Sequence, residues 1–337
     1  MLIDEQLGIH RVKLPLPFRL DHVNCYAIKG SNGWWLIDTG LNTEASRKTW
    51  QQFMETYQVR VNDIRGIYLT HFHPDHYGAA GWLQKMSGAP VYISAEDAAV
   101  AQRYWEKGEQ TWSSVKKMFI ENGMPQDLTA AVVECMLQMI PLTRPHPRLN
   151  IIKPGETIQL GDYNYLIILT PGHSDGHVCF YNIEKYILFS GDHLLPKITS
   201  NISLLPYSAP NPLANFMQSL QQNRHLKCRR VLPAHGEPFD CLEERIDQLE
   251  THHRERLELI KKIAFQGATA YDVCTKIFDE NLSPHEIRFA MAETLAHMVF
   301  LLKRGELKVY KRDGVYIFSG NDSVPDLSMD VGRGDSS

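Results

Sequence analysis

The segment YLTHFHPDHYG, Tyr68 to Gly78, sets three histidines and an aspartate within six residues, directly after an apolar run. A solvated loop accounts for one or two such side chains. Four at this spacing need either many hydrogen-bond partners or a metal, so the fold has to bring this stretch to a binding point. His71 and His73 flank Phe72, and their side chains point the same way if strand geometry continues through them. Pro74 then turns the chain and aims Asp75 and His76 at a neighbouring point.

The same pairing of strand and polar cluster recurs along the first two-thirds of the chain. Short β-branched or aromatic runs stop abruptly in WWLIDTG, PVYIS, YLIILTPGHSDGH, YILFSGDHLLP and RRVLPAHGEP. Strands with polar residues at their carboxyl ends are what an α/β scaffold offers to a ligand site. The ligand-type residues at those ends are His71, His73, Asp75, His76, His173, Asp192 and His235. Imidazole and carboxylate groups bind zinc, iron and manganese, and seven of them could hold two metals with an open position between. Any one of these residues taken alone reads better as a hydrogen-bonded histidine or a turn aspartate. The set does not, because clustered histidines without a metal repel one another when charged.

At 337 residues the chain is long enough for about two domains. Residues 1–240 read as a catalytic domain, with a helical insertion at about 95–147 that carries Tyr104, Trp105, Trp112 and Met118. At helical spacing those side chains read first as core, and second as a lid over the site. A charged helix over Cys241 to Phe265 leads into two more helices and a hairpin centred on Asp313-Gly314. Ser283 as N-cap and Pro284 at the first helical position open the last helix. Helix, helix, hairpin is the outline of a winged helix, so 241–318 reads as a linker helix and a winged-helix domain. No ligand-type cluster lies after Gly267, so the metal site is expected to fold without that part. The Ser-, Asp- and Gly-rich tail, 319–337, is expected to be disordered.

Composition excludes several classes. A net charge of −4 argues against whole-surface attraction to nucleic acid or an anionic membrane. No apolar run reaches ~18 residues, so neither a membrane span nor a secretory signal is expected. The six cysteines are dispersed and form no C-x-x-C pair, which reads as buried, reduced thiols of a cytoplasmic protein.

H-x-H-x-D-H at His71 to His76, the histidine of TPGHSDGH, the aspartate of SGDH and the histidine of PAHG together resemble the metallo-β-lactamase superfamily. WLIDTG matches that family's early strand, in which Asp38 would be structural. The resemblance spans about Ile9 to Pro238 and implies an αββα sandwich with a dinuclear site at one edge. It implies that His71, His73 and His173 hold one metal, that Asp75, His76 and His235 hold the other, and that Asp192 bridges them. The bridging aspartate makes the site resemble the hydroxyacylglutathione hydrolase branch and makes antibiotic hydrolysis a poor expectation.

What the resemblance implies chemically is hydrolysis by a metal-bridging hydroxide, with Asp75 orienting it and taking its proton. The two divalent ions would be zinc first, with iron or manganese as alternatives. His22, His177 and His193 are candidates for substrate contact or for holding the ligands in place, each with a plain structural reading beside it. A small-molecule thioester or ester is favoured, with the helical insertion and its aromatics roofing an apolar pocket. The alternative is a nuclease that binds nucleic acid through the winged helix, where Thr251 to Phe318 carries eleven basic against nine acidic residues. The C-terminal part could equally serve a homodimer contact.

Overall fold

The computed structural model describes residues 1–279 and 281–320. Seven strands form one sheet in the order β1 (Leu2–Asp4), β2 (Ile9–Pro15), β3 (His22–Gly30), β4 (Gly33–Ile37), β5 (Ile64–Tyr68), β6 (Val91–Ser94) and β7 (Leu149–Ile152). Five more form a second sheet, β8 (Thr157–Leu160), β9 (Tyr163–Leu169), β10 (Val178–Asn182), β11 (Ile187–Gly191) and β12 (Arg230–Pro233), with β12 and β8 at its edges. The pairings from β4 to β7 and between β11 and β12 are parallel, and the others are antiparallel.

Period-two alternation explains why the two sheets stack and why each is covered outside. In β3, Tyr26 and Ile28 enter the layer between the sheets, whereas Val23, Cys25 and Ala27 enter the outer layer. In β10, Val178 and Phe180 face inward while Cys179 and Tyr181 face the opposite outer layer. Tyr26 meets Phe189 edge-on across the sandwich at 5.0 Å between ring centroids. Trp50 and Phe53 of α1 (Glu44–Thr56) and Leu83 of the helix at Ala80–Ser87 cover the first sheet. Leu213, Phe216 and Leu220 of the helix at Pro212–Asn223 cover the second. The layering is therefore αββα. Each such buried side chain is worth roughly 1.5–3 kcal/mol, enough in sum to carry a cluster of buried polar groups at one edge.

The remaining helices are α2 (Pro74–Tyr77), α3 (Ala80–Ser87), α4 (Ala95–Ala101), α5 (Gly108–Glu121), α6 (Gln126–Met139), α7 (Pro212–Asn223), α8 (Leu242–Ala264), α9 (Ala270–Ile277) and α10 (Pro284–Lys303). A π turn at Gln102–Glu106 separates α4 from α5. Strands β13 (Lys308–Arg312) and β14 (Val315–Ser319) form the hairpin, with Asp313 and Gly314 both at positive φ, as a tight two-residue turn requires. Ser283 and Glu286 close a reciprocal capping box at the start of α10.

The core reading of the insertion's aromatics holds for Trp105 and Trp112: both are fully buried, and the Trp105 indole donates to the Phe72 carbonyl at 2.9 Å. Two expectations are corrected. The C-terminal part is not an appendage. Ile287, Met291, Leu295 and Met298 of α10 belong to the same buried cluster as Trp50 and Leu83, and Ala296 joins the cluster around Phe216. Cys241 is exposed, whereas Cys25, Cys179 and Cys274 are buried, and all six thiols are free. Ser319 ends β14, and the rest of the tail beyond Gly320 lies outside the described residues. Among the described residues, no helix is long and apolar enough to cross a membrane.

Candidate metal centre

The polar cluster lies beyond the carboxyl ends of β5, β9, β11 and β12. β5 stops at Tyr68, so His71 and His73 stand in the loop that follows and not on a continuing strand. His73 is the N-cap residue of α2, Pro74 is its first residue, and Asp75 and His76 lie in its single turn. A proline at that position supplies the helical φ and has no N–H to leave unpaired. The convergence of these four side chains comes from a loop and one helical turn, not from strand alternation.

Three imidazole nitrogens close a triangle. His71 Nε2 stands 3.0 Å from His73 Nδ1, His73 Nδ1 stands 2.8 Å from His173 Nε2, and His71 Nε2 stands 3.2 Å from His173 Nε2. The outer nitrogens fix the protons. The Thr70 hydroxyl donates to Asp38 Oδ2 at 2.8 Å, so it accepts from His71 Nδ1 at 3.0 Å. His173 Nδ1 donates to the Asn201 carbonyl at 2.8 Å. Both Nε2 atoms therefore present bare lone pairs to each other, which only a cation between them makes favourable. Nitrogens around a tetrahedral zinc at 2.0–2.1 Å stand roughly 3.3 Å apart, close to what is found here.

A second group faces the first. His235 Nε2 lies 3.4 Å from Asp75 Oδ2, and His76 Nε2 lies 3.6 Å from the same oxygen. His235 Nδ1 donates to the His22 carbonyl at 2.9 Å, and His76 Nδ1 donates to Asp38 Oδ2 at 2.8 Å. Asp192 stands between the groups. Its Oδ2 is 3.4 Å from His173 Nε2, and its Oδ1 is 3.5 Å from both His76 Nε2 and His235 Nε2. His76 Nε2 and Asp192 Oδ1 are buried without any hydrogen-bond partner. Such orphaned atoms, in a set of five imidazoles and two carboxylates, fit two divalent ions that accept nitrogen and oxygen ligands.

The electrostatics differ between the groups. Burial, followed by the neighbouring imidazoles, holds His71 well below the usual histidine range. Burial acts the same way on His76, but Asp75, Asp38 and Asp192 outweigh it and carry this imidazole up to about 10. Burial alone would raise Asp75, yet His76, His235 and His73 bring it below the ordinary carboxylate range, so it is ionised.

This loop-borne constellation, on an αββα sandwich, decides the family. Residues 18–235 match the model of the metallo-beta-lactamase superfamily, and residues 257–321 match the metallo-beta-lactamase-like C-terminal domain. The chain belongs to the metallo-β-lactamase superfamily. A structure of a metallo-beta-lactamase family protein from Thermus thermophilus superposes with a TM-score of 0.85 at 30% identity, covering 93% of this chain and 99% of that one. A beta-lactamase domain protein from Burkholderia ambifaria gives 0.82 at 27% identity, with 93% and 92% covered. In Bacillus subtilis, the probable metallo-hydrolase YqjP is 27% identical over 301 residues, 85% of this chain and 90% of that one. The atrochrysone carboxyl ACP thioesterase of Aspergillus fumigatus is 23% identical over 254 residues, 75% of this chain but 62% of that longer protein. The chain is accordingly a hydrolase of this superfamily.

In this metallo-β-lactamase superfamily member the three other histidine candidates divide. His177 is buried beneath the site, where its Nε2 accepts from the Asp192 N–H at 3.1 Å and its Nδ1 donates to the Thr170 hydroxyl at 2.7 Å. It therefore holds Asp192 in place. The His22 ring pairs with Asp21 at 2.6 Å, and only its carbonyl serves the site. His193 packs against Phe216 at 5.4 Å, and burial pushes it down to about 3, as for a core residue.

Sequence reasoning missed Asp97. Its Oδ2 accepts from Phe72 N at 3.0 Å and Ser174 Oγ at 2.7 Å, and its Oδ1 accepts from Gly176 N at 2.8 Å. One buried carboxylate thus ties the loop of His71 and His73 to the loop of His173. Burial pushes it up to about 7, against the pull of those three hydrogen bonds. In sequence it looks like any acidic residue in the first turn of a helix capped by Ser94.

The centre opens into a cavity of about 250 Å³ whose floor includes His73, Asp75, His173, Asp192 and His235. Met136 and Met139 of α6, Phe18 and Leu20 of the loop before β3, and His285, Arg288 and Phe289 of α10 form its walls. The insertion thus lines the cavity through Met136 and Met139 rather than through the aromatics expected to roof it, while Tyr104 lines a separate, smaller cavity behind His73 and His173.

Proposed function

We propose that the protein is a dinuclear metal-dependent hydrolase acting on a small-molecule thioester or ester, with zinc as the ions and iron or manganese as alternatives. The observation that carries this reading is Asp192, one carboxylate whose two oxygens face separate ligand groups at the floor of a largely apolar cavity. His71, His73 and His173 would hold one ion, and Asp75, His76 and His235 the other. Two divalent ions held there would supply the Lewis acidity that makes a water nucleophilic near neutral pH.

The chain's own residues then set the chemistry. Ionised Asp75, in the floor of the cavity, would accept the proton of that water. His285 is the one histidine among the described cavity residues outside the proposed ligand set, and burial followed by Arg288 pushes it down to about 4. A neutral imidazole is a poor proton donor, which favours a thiolate leaving group over an alkoxide. The thioesterase among the fungal relatives supports the same choice. The elements of 241–318 come in winged-helix order, but α10 is committed to the cavity wall, which weighs against a nucleic-acid-binding role for it. Free thiols fit a reducing, cytoplasmic setting.

An activity panel on the metal-loaded protein tests the reading, using acyl thioesters, lactones, phosphodiesters and RNA. Thioester cleavage is expected to dominate. Cleavage of RNA or phosphodiesters without thioester cleavage would overturn it.

A further inference from the structure

Arg288 lies in the second turn of α10, 7% exposed, and lines the same cavity as the proposed metal ligands. Its Nε is buried without a partner, and among the described residues the guanidinium makes no hydrogen bond or ion pair. Its close neighbour is the Phe289 ring, 3.8 Å below it. A buried guanidinium without a counter-ion is costly, because its solvation is lost and nothing replaces it.

The carboxylates nearby are engaged elsewhere. Glu286 takes the backbone N–H of Ser283 at 2.9 Å and its hydroxyl at 2.7 Å. Glu293 takes the amide of Asn201 at 3.0 Å. Asp75 and Asp192 face the imidazoles of the centre. Two divalent ions at the floor would add positive charge to the same cavity, so among the described residues no carboxylate is left over for Arg288.

We infer that Arg288 is an anion anchor, and that the acyl group of the substrate carries a carboxylate. This rests on the thioester hydrolase reading given above and narrows it. A guanidinium pairs with a carboxylate through two parallel N–H···O bonds, a fit a lysine cannot reproduce. At about 250 Å³ the cavity has room for a short acyl chain between its floor and Arg288. The scissile carbonyl sits at the floor, the carboxylate at Arg288, and the methylenes between them lie against Met139 and Phe289. The substrate class is the thioester of a short dicarboxylic acid.

The test compares two five-carbon thioesters of N-acetylcysteamine, glutaryl and pentanoyl, on the metal-loaded protein. The wild type is expected to favour glutaryl in kcat/KM by about 10- to 100-fold, the worth of a hydrogen-bonded charged group. Arg288→Met should collapse that ratio toward one, and Arg288→Lys should keep part of it. A wild-type ratio at or below one, or a ratio unchanged in Arg288→Met at equal metal content, would overturn the anchor. Should Arg288→Met fail to fold, the wild-type and Arg288→Lys ratios still decide.

Binding of glutaramate, measured by calorimetry, separates this inference from the functional reading. If no thioester is hydrolysed, the hydrolase reading fails by itself. A Kd for glutaramate about 10- to 100-fold weaker in Arg288→Met still supports the anchor, and an equal Kd refutes it.

Discussion

Replacing Asp38 by Asn acts most directly on the outer hydrogen bond of His76, on one side of the proposed centre. Asp38 is 2% exposed and accepts three hydrogen bonds, from Thr70 N, Thr70 Oγ1 and His76 Nδ1, each at 2.8 Å. Its φ is 58°, a conformation asparagine adopts readily, so the substitution leaves the backbone unstrained. An amide can accept through only one of its two arms. Turned one way it presents N–H₂ to Thr70 N–H, and turned the other way it presents N–H₂ to His76 Nδ1–H. A buried donor left without an acceptor costs ~1–3 kcal/mol. Loss of the partner that orients a ligand imidazole typically weakens metal affinity 10–100-fold, or ~1.4–2.7 kcal/mol. The ion held by His76 should respond most, because His71 of the other group reaches Asp38 only through the Thr70 hydroxyl. Dialysis against buffered free zinc, at a concentration that saturates the wild type, should leave the variant with close to one ion per chain. Two ions held at unchanged affinity, or loss of both ions in step, would refute the reasoning. The first result makes Asp38 a fold residue, and the second means that the two ions do not bind independently.

Three further outcomes follow from the same geometry. The purified protein should carry close to two divalent ions per chain by elemental analysis, and stripping them with a chelator should abolish hydrolysis and lower the melting temperature, both restored by zinc. Asp75→Asn should lower turnover per metal-saturated, folded molecule by ~10²–10⁴, the usual contribution of a positioned proton acceptor, whereas near-native turnover removes Asp75 from the mechanism. Asp97→Ala strands the donors of Phe72, Ser174 and Gly176. At ~1–3 kcal/mol for each unsatisfied donor it should destabilise the fold by several kcal/mol in denaturant titrations, and a loss below about 1 kcal/mol contradicts its role as the tie between the two ligand loops.

Much of the site was legible because its parts are short and local. His71 to His76 fall within one loop and one helical turn, and His173, Asp192 and His235 each follow a short apolar run that folds as a strand. The route differs for His71 and His73, which stand in a loop and not on a continuing strand, whereas the turn at Pro74 carries Asp75 and His76 as expected. The helix, helix, hairpin order near the carboxyl end was equally visible, through Ser283, Pro284 and Asp313-Gly314, whose conformational preferences act without help from the rest of the chain.

What the chain could not announce in its local pattern is what lies across the cavity. α10 is apolar on most of its faces, so periodicity alone could not say which face meets α6, which meets α7, and which is left to line the centre. Arg288 reads in sequence as one more basic residue on a helix, and its meaning comes from burial beside ligands more than fifty residues away. Asp97 reads as a capping acid, and becomes the tie between two loops only when β6 delivers α4 beneath them. Ligand type and turn geometry depend on a few neighbouring residues, so they can be read along the chain. The partners of Asp38, Asp97 and Arg288 depend on how layers pack over long separations, and those emerge only when the chain is folded.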